Sequence, residues 1–121
     1  MKVIHLISGG DTGGAKTHVH SLLQNLSRSI DVTLVCFRGG PFAEEAAALG
    51  IDTRVMDGGF FRALRGVRAL IESGGYDIVH CHGSRANLAG ALLRRSTKKP
   101  VVSTVHSDYR LDYLGRPAAA L

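Results

Sequence analysis

Val3-Ile4-His5-Leu6-Ile7-Ser8 runs directly into Gly9-Gly10-Asp11-Thr12-Gly13-Gly14, and Ala15, Val19, Leu22, Leu23 and Leu26 follow at helical spacing. An apolar run of strand length, a glycine-dense turn and an amphipathic helix make the opening unit of an α/β fold. Four glycines in six residues remove the Cβ atoms that would hold a ligand away from the backbone, and they permit positive φ in a tight turn. The helix that follows aims free N–H groups and the positive end of its dipole at the same spot. The turn therefore reads as an anion site, for a phosphate or a phosphorylated sugar.

Outward from this unit the chain alternates strand and helix. Strands are expected over Asp31–Phe37, Ile51–Met56, Asp77–Cys81 and Val101–Val105, and helices over Pro41–Leu49, Arg62–Ser73 and Ser84–Arg95. Pro41 suits the first turn of its helix, and Gly74-Gly75 suits the end of another. Continuous apolar strands joined by helices imply a parallel sheet covered on both faces. Right-handed crossovers then favour a doubly wound, Rossmann-like sheet in the order 3-2-1-4-5, with residues 1–121 as one domain. In that order ligands bind at the carboxyl ends of the strands beside the reversal between strands 1 and 4. The glycine turn and His80-Cys81-His82-Gly83-Ser84-Arg85 then flank one crevice, with His106 at the same edge.

Composition narrows the class. The chain carries a net charge of +5, with Arg62, Arg65 and Arg68 on one predicted helix and Arg94, Arg95, Lys98 and Lys99 near the end of another. These read as solvated helix faces, with attraction to an anionic membrane surface or to an acidic substrate as the sharper expectation. Nucleic acid is not expected, because none of the seven aromatics is interleaved with the basic residues. No apolar run approaches the roughly 18–20 residues that span a bilayer, and no charged leader precedes Val3. The expectation is a cytoplasmic domain in which Cys36 and Cys81 are buried thiols.

The motifs exclude the commonest phosphate binders. A dinucleotide fingerprint needs glycines at i, i+2 and i+5, but Asp11 and Thr12 occupy the second position in the two registers available. Gly10 with Ala15-Lys16-Thr17 approaches a P-loop, yet alanine stands where the glycine before the lysine belongs, and Cys81-His82 ends the strand that should supply a magnesium-binding aspartate. A P-loop-like nucleotide hydrolase is kept as an alternative. His80 and His82 share a strand face while Cys81 points to the other, so no metal site is expected. His5 and His80 read as core histidines, and His18 and His20 as structural or surface residues.

Val3-Ile4-His5-Leu6, Gly13-Gly14-Ala15, Asp77-Ile78-Val79-His80-Cys81-His82-Gly83 and Pro100-Val101-Val102-Ser103-Thr104-Val105-His106, in that order and spacing, resemble the N-terminal domain of family 4 glycosyltransferases. The resemblance covers nearly the whole chain. It implies the N-terminal half of a GT-B fold, two Rossmann-like domains facing a cleft, and retaining transfer from a nucleotide sugar to a saccharide or lipid-linked acceptor without a metal or other cofactor. By that resemblance Gly13 and Gly14 approach the donor diphosphate and the acceptor, and His106 sits near the transferred sugar as the catalytic residue. His82, Ser84, Arg85 and Asn87 face the acceptor. Lys16 replaces an acidic residue found in many relatives and would tune acceptor choice. The second domain, which would hold most of the donor, is not in these 121 residues. The chain alone is accordingly expected to be inactive and to self-associate through the edge left at strand 5. A non-catalytic binding module is the other alternative.

Overall fold

Both faces of the first strand are predominantly apolar, so it belongs in the middle of a sheet covered on both sides. The computed structural model describes residues 1–9, 14–26 and 29–104, with the side chains of residues 14–19, 84 and 104 left aside. Its elements are β1 (Lys2–Ile7), α1 (Gly14–Leu26), β2 (Asp31–Cys36), α2 (Pro41–Ala48), β3 (Asp52–Val55), α3 (Phe60–Gly74), β4 (Ile78–His82), α4 (Ser84–Thr97) and β5 (Val101–Thr104). The five strands form one sheet in the order β3-β2-β1-β4-β5, and every pairing is parallel. This is the doubly wound arrangement expected from the alternation of strands and helices.

The parity of β1 divides the core. Ile4 and Leu6 pack with Val35, Val79 and Cys81 against Val67 and Ile71 of α3 and Ala86, Ala89 and Leu93 of α4. Ile7 joins Val32, Leu34 and Cys36 under Leu23 of α1 and Phe42, Ala43 and Ala46 of α2. Cys36 and Cys81 are both buried and free, on opposite faces of the sheet. Burial pushes the Cys81 thiol up to about 12, a shift that the Gly90 backbone only partly offsets. This thiol stays protonated and unreactive.

Element boundaries moved where backbone chemistry outweighed the apolar pattern. α3 begins at Phe60, because the turn is made by Gly58 and Gly59 at φ 94° and 106°. Its end is capped by left-handed Gly75, as the sequence led us to expect. α4 runs two residues beyond Arg95 to Thr97, whose hydroxyl donates to the Leu93 carbonyl at 2.7 Å, before Lys98 turns left-handed. β4 includes His82, which pairs with Ile7 of β1, so this histidine ends the strand instead of following it. Strand β3 is short and largely exposed, and its Arg54–Asp52 pair at 2.9 Å places charge on the sheet edge, where it discourages strand addition.

Gly90 lets α4 lie close on the sheet. A Cβ at this position would stand 2.5 Å from Cys81 Sγ and 3.0 Å from Val101 Cγ1. Gly90→Ala is therefore expected to destabilise the chain, because overpacking costs about 1–3 kcal/mol against a helix-propensity gain of about 1 kcal/mol. Cys81→Ala should cost less in that background than alone, since it opens the space the methyl needs. Urea denaturation of the four proteins of this cycle is the measurement, and additive effects would show that the contact does not limit the helix–sheet distance.

Candidate functional site

The carboxyl ends of β1, β2 and β3 and the start of α4 enclose an open cavity of about 570 Å³. Ser8 enters from β1, Phe37 and Arg38 from β2, Asp57 and Phe60 from the β3–α3 turn, and Arg85 from the first turn of α4. The floor is aromatic: Phe37 and Phe60 meet edge to face at 6.4 Å, and the Arg85 guanidinium lies 5.9 Å from the Phe60 ring centroid. Three helices begin along this edge on glycine N-caps, Gly40, Gly59 and Gly83, none with a side-chain cap. Pro41 has no N–H, and the other first-turn N–H groups are not occupied by a capping side chain.

Gly9 shows why the first loop needs glycine. Its φ is +91°, and a Cβ would lie 2.5 Å from the Arg38 carbonyl oxygen and 3.1 Å from Cys36 Cβ. The turn after β1 is thus pressed against the turn after β2, and glycine is required there by packing as well as by backbone angle.

The expected site residues separate under this geometry. Arg85 reaches the cavity. Asn87 lies in the next positions of the same helix turn, its N–H donating to the Gly83 carbonyl at 2.9 Å and its Oδ1 buried with no hydrogen-bond partner among the described residues. Ser84 and Gly14 open α4 and α1, and Lys16 lies in the first turn of α1. Gly13 and His106 lie outside the described residues. His82 is only 1% exposed and is turned to other histidines instead of the cavity. Arg38, Phe37, Asp57 and Phe60 were not among the expected site residues. The signal was available, because each follows the carboxyl end of β2 or β3, the same edge that singled out Arg85.

The histidine grouping also depends on pairing. His5 stands opposite His80 in the β1–β4 register, and this brings in a third ring that spacing along the chain does not reveal. His5 Nδ1 and His82 Nε2 are 3.0 Å apart and share a proton. His80 and His82 stack at a centroid distance of 4.3 Å and 18°, His5 and His82 lie 5.2 Å apart at 19°, and His5 is tilted by 32° against His80 at 4.9 Å. Their candidate ligand atoms lie within 4.8 Å of one another. Lone pairs lie in the ring planes, however, and nearly parallel planes do not converge on one point, whereas a tetrahedral ion needs nitrogens about 3.4 Å apart and aimed at it. As placed, the three rings form a stack.

Burial lowers the His5 pKa to about 3, with the charge of a protonated His80 acting in the same direction. The unfolded chain would bind a proton near 6.5, so His5 favours folding fully above that pH and loses its contribution as pH falls from 6.5 toward 3. Between pH 7 and pH 5 the loss should be about 2 kcal/mol. Denaturation midpoints across this range should fall steeply for the unmodified chain and less steeply for His5→Gln. Parallel slopes would mean that His5 is protonated equally in both states.

The sequence profile of Glycosyltransferase Family 4 matches residues 12–121. No curated protein matches the chain at the sequence level. Among solved structures, HepE from Anabaena in complex with UDP-glucose superimposes with a TM-score of 0.74 and 19% identity, over 85% of this chain and 28% of that one. A glycosyltransferase from Rickettsia africae gives a TM-score of 0.74 at 14% identity, over 95% of this chain and 33% of its own. The lipopolysaccharide outer core galactosyltransferase WaaB gives 0.67 at 18% identity, over 88% of this chain and 33% of its own. The chain thus spans about a third or less of the length of these structures, and the likeness is one of fold. With the profile matching nearly all of the sequence, the chain belongs to Glycosyltransferase Family 4.

Proposed function

We propose that this chain forms the acceptor-side wall of a retaining glycosyltransferase that moves a sugar from a nucleotide-sugar donor to a saccharide or lipid-linked acceptor. The observation that carries the reading is the family match over residues 12–121 on a domain whose carboxyl edge holds an open, donor-rich cavity. A nucleotide-sugar donor is supported by HepE, whose structure was determined with UDP-glucose. A lipid-linked acceptor is supported by the α3–α4 face, where exposed Phe61 and Leu92 share a groove with Arg65 and Arg68, a combination that suits an anionic bilayer surface.

Each proposed role follows from charge. As the donor's anomeric carbon becomes oxocarbenium-like, negative charge grows on the departing diphosphate. Backbone amides at Gly13 and Gly14 would hold that charge without reorganising. His106 would bond the transferred sugar or the departing phosphate, Lys16 would add charge at the start of α1, and no metal would be needed. Ser84, Arg85 and Asn87 would meet the acceptor. His82 would act from behind, fixing the end of β4 through its contact with His5.

The test is sugar transfer by a full-length protein carrying this domain, assayed with labelled UDP-, GDP- and ADP-sugars against saccharide and lipid-extract acceptors. Transfer with retained anomeric configuration is expected, and its absence across the panel would overturn the reading. In that protein His106→Ala should lower kcat about 10²-fold or more, the scale of one lost transition-state hydrogen bond. Gly14→Val should abolish transfer while leaving the circular dichroism spectrum intact. The 121-residue chain alone should transfer nothing, because one wall neither excludes water nor fixes the donor. Transfer by it would show a complete site within these residues.

A further inference from the structure

We propose that the acceptor entering the carboxyl-edge cavity carries an oxyanion, a phosphate or a carboxylate on its sugar, and that Arg38 and Arg85 bind it. This rests on the acceptor-side reading above and adds a substrate class to it. The two guanidiniums come from elements far apart in sequence, the end of β2 and the start of α4, yet line one cavity. Arg54 and Arg68 are neutralised by Asp52 at 2.9 Å and Glu72 at 3.1 Å. Arg38 and Arg85 have no such carboxylate partner among the described residues. Arg62 and Arg65 of α3 and Arg94 and Arg95 of α4 also lack a carboxylate partner among the described residues, but none of them lines this cavity. Arg38 and Arg85 stand in a concavity, whose walls concentrate their field on whatever enters.

The remaining lining fits a sugar that bears the charge. Among the described lining residues Asp57 is the only carboxylate, and it pairs with neither arginine, so their balance is positive while a strong acceptor remains for sugar hydroxyls. Phe37 and Phe60, packed edge to face, offer apolar ring surface against which the C–H groups of a pyranose can rest. The Phe60 ring also attracts the Arg85 guanidinium lying 5.9 Å from its centroid, which orients the charge before the ligand arrives. A cavity of about 570 Å³ is within the usual range for small-molecule sites and leaves room for a monosaccharide with its substituent. Planar guanidinium forks match the paired oxygens of phosphate and carboxylate alike.

The test is direct binding to the 121-residue chain, followed by calorimetry and by NMR of arginine side chains. Glucose 6-phosphate, glucuronate, methyl glucoside, inorganic phosphate and UDP serve as probes. One or both anionic sugars should bind at least 10-fold more tightly than methyl glucoside and shift the Arg38 and Arg85 signals. Arg38→Gln and Arg85→Gln should each remove most of that advantage with unchanged thermal midpoints, and Arg→Lys at either position should retain part of it. The ranking of glucose 6-phosphate against glucuronate identifies phosphate or carboxylate as the source. Equal binding of the neutral sugar, or no binding of any sugar, would overturn the proposal. So would inorganic phosphate binding as tightly as the sugar phosphate, or UDP binding more tightly through the same arginines, since the site would then belong to a bare anion or to the donor. Failure of the transfer assay alone would leave anion-selective binding intact. Normal transfer to a neutral acceptor by the Arg38→Gln and Arg85→Gln proteins would remove this proposal and leave the glycosyltransferase reading standing.

Discussion

The parallel pairing of β1 with β4 is the constraint on which the rest of the molecule depends. It joins two strands separated in sequence by α1, β2, α2, β3 and α3, in a register that sets Val3 against Ile78 and Ile7 against His82. Connections leave β1 toward one side of the sheet and β4 toward the other, so the helices must divide between the two faces. The loops at the carboxyl edge then part around a crevice in place of a continuous rim. Had β4 joined the far edge, beside β3, Arg85 would stand at the opposite side of β3 from Ser8, and the cavity would lose one wall.

That same pairing concentrates imidazoles under α1. His5 is fully buried in the central strand, where an alkyl side chain would satisfy the core without any hydrogen-bond requirement. Its retention as a neutral ring, one nitrogen bonded to His82 and the other, Nε2, with no partner among the described residues, is a local cost carried by the fold. The three rings lie in the carboxyl-terminal halves of β1 and β4, with His82 the last residue of its strand. A neutral His5 keeps positive charge out of the central strand, while Arg38 and Arg85 carry it at the cavity.

Most of the architecture could be read from residue patterns, because apolar runs, glycine punctuation and helical spacing are local signals. Strand order followed from general topological preferences, and the positions of Pro41 and Gly75 followed from backbone chemistry. The cavity was less legible. Arg85 stands out because it follows the fourth strand at the ligand edge and matches the family resemblance, whereas Arg38 sits in an ordinary Phe-Arg-Gly turn whose importance appears only when β2 and β4 are placed on either side of β1. Phe60 was hidden by the boundary of α3, since the apolar and basic periodicity begins two residues later. His5 looked like a core histidine, which it is, but its partners lie across a strand register that no spacing along the chain encodes.

Gly9 touches the following turn through the carbonyl oxygen of Arg38, and the side chain of Arg38 takes no part in that contact. The first position is therefore locked by the fold while the second is free to change its chemistry. Mutation can replace the guanidinium with an amide, a hydroxyl or a carboxylate and leave the meeting of the two turns undisturbed. Diversification among descendants of such a domain should thus run through residue 38 and spare residue 9. The same asymmetry gives protein engineers a place to alter ligand preference without rebuilding the scaffold beneath it.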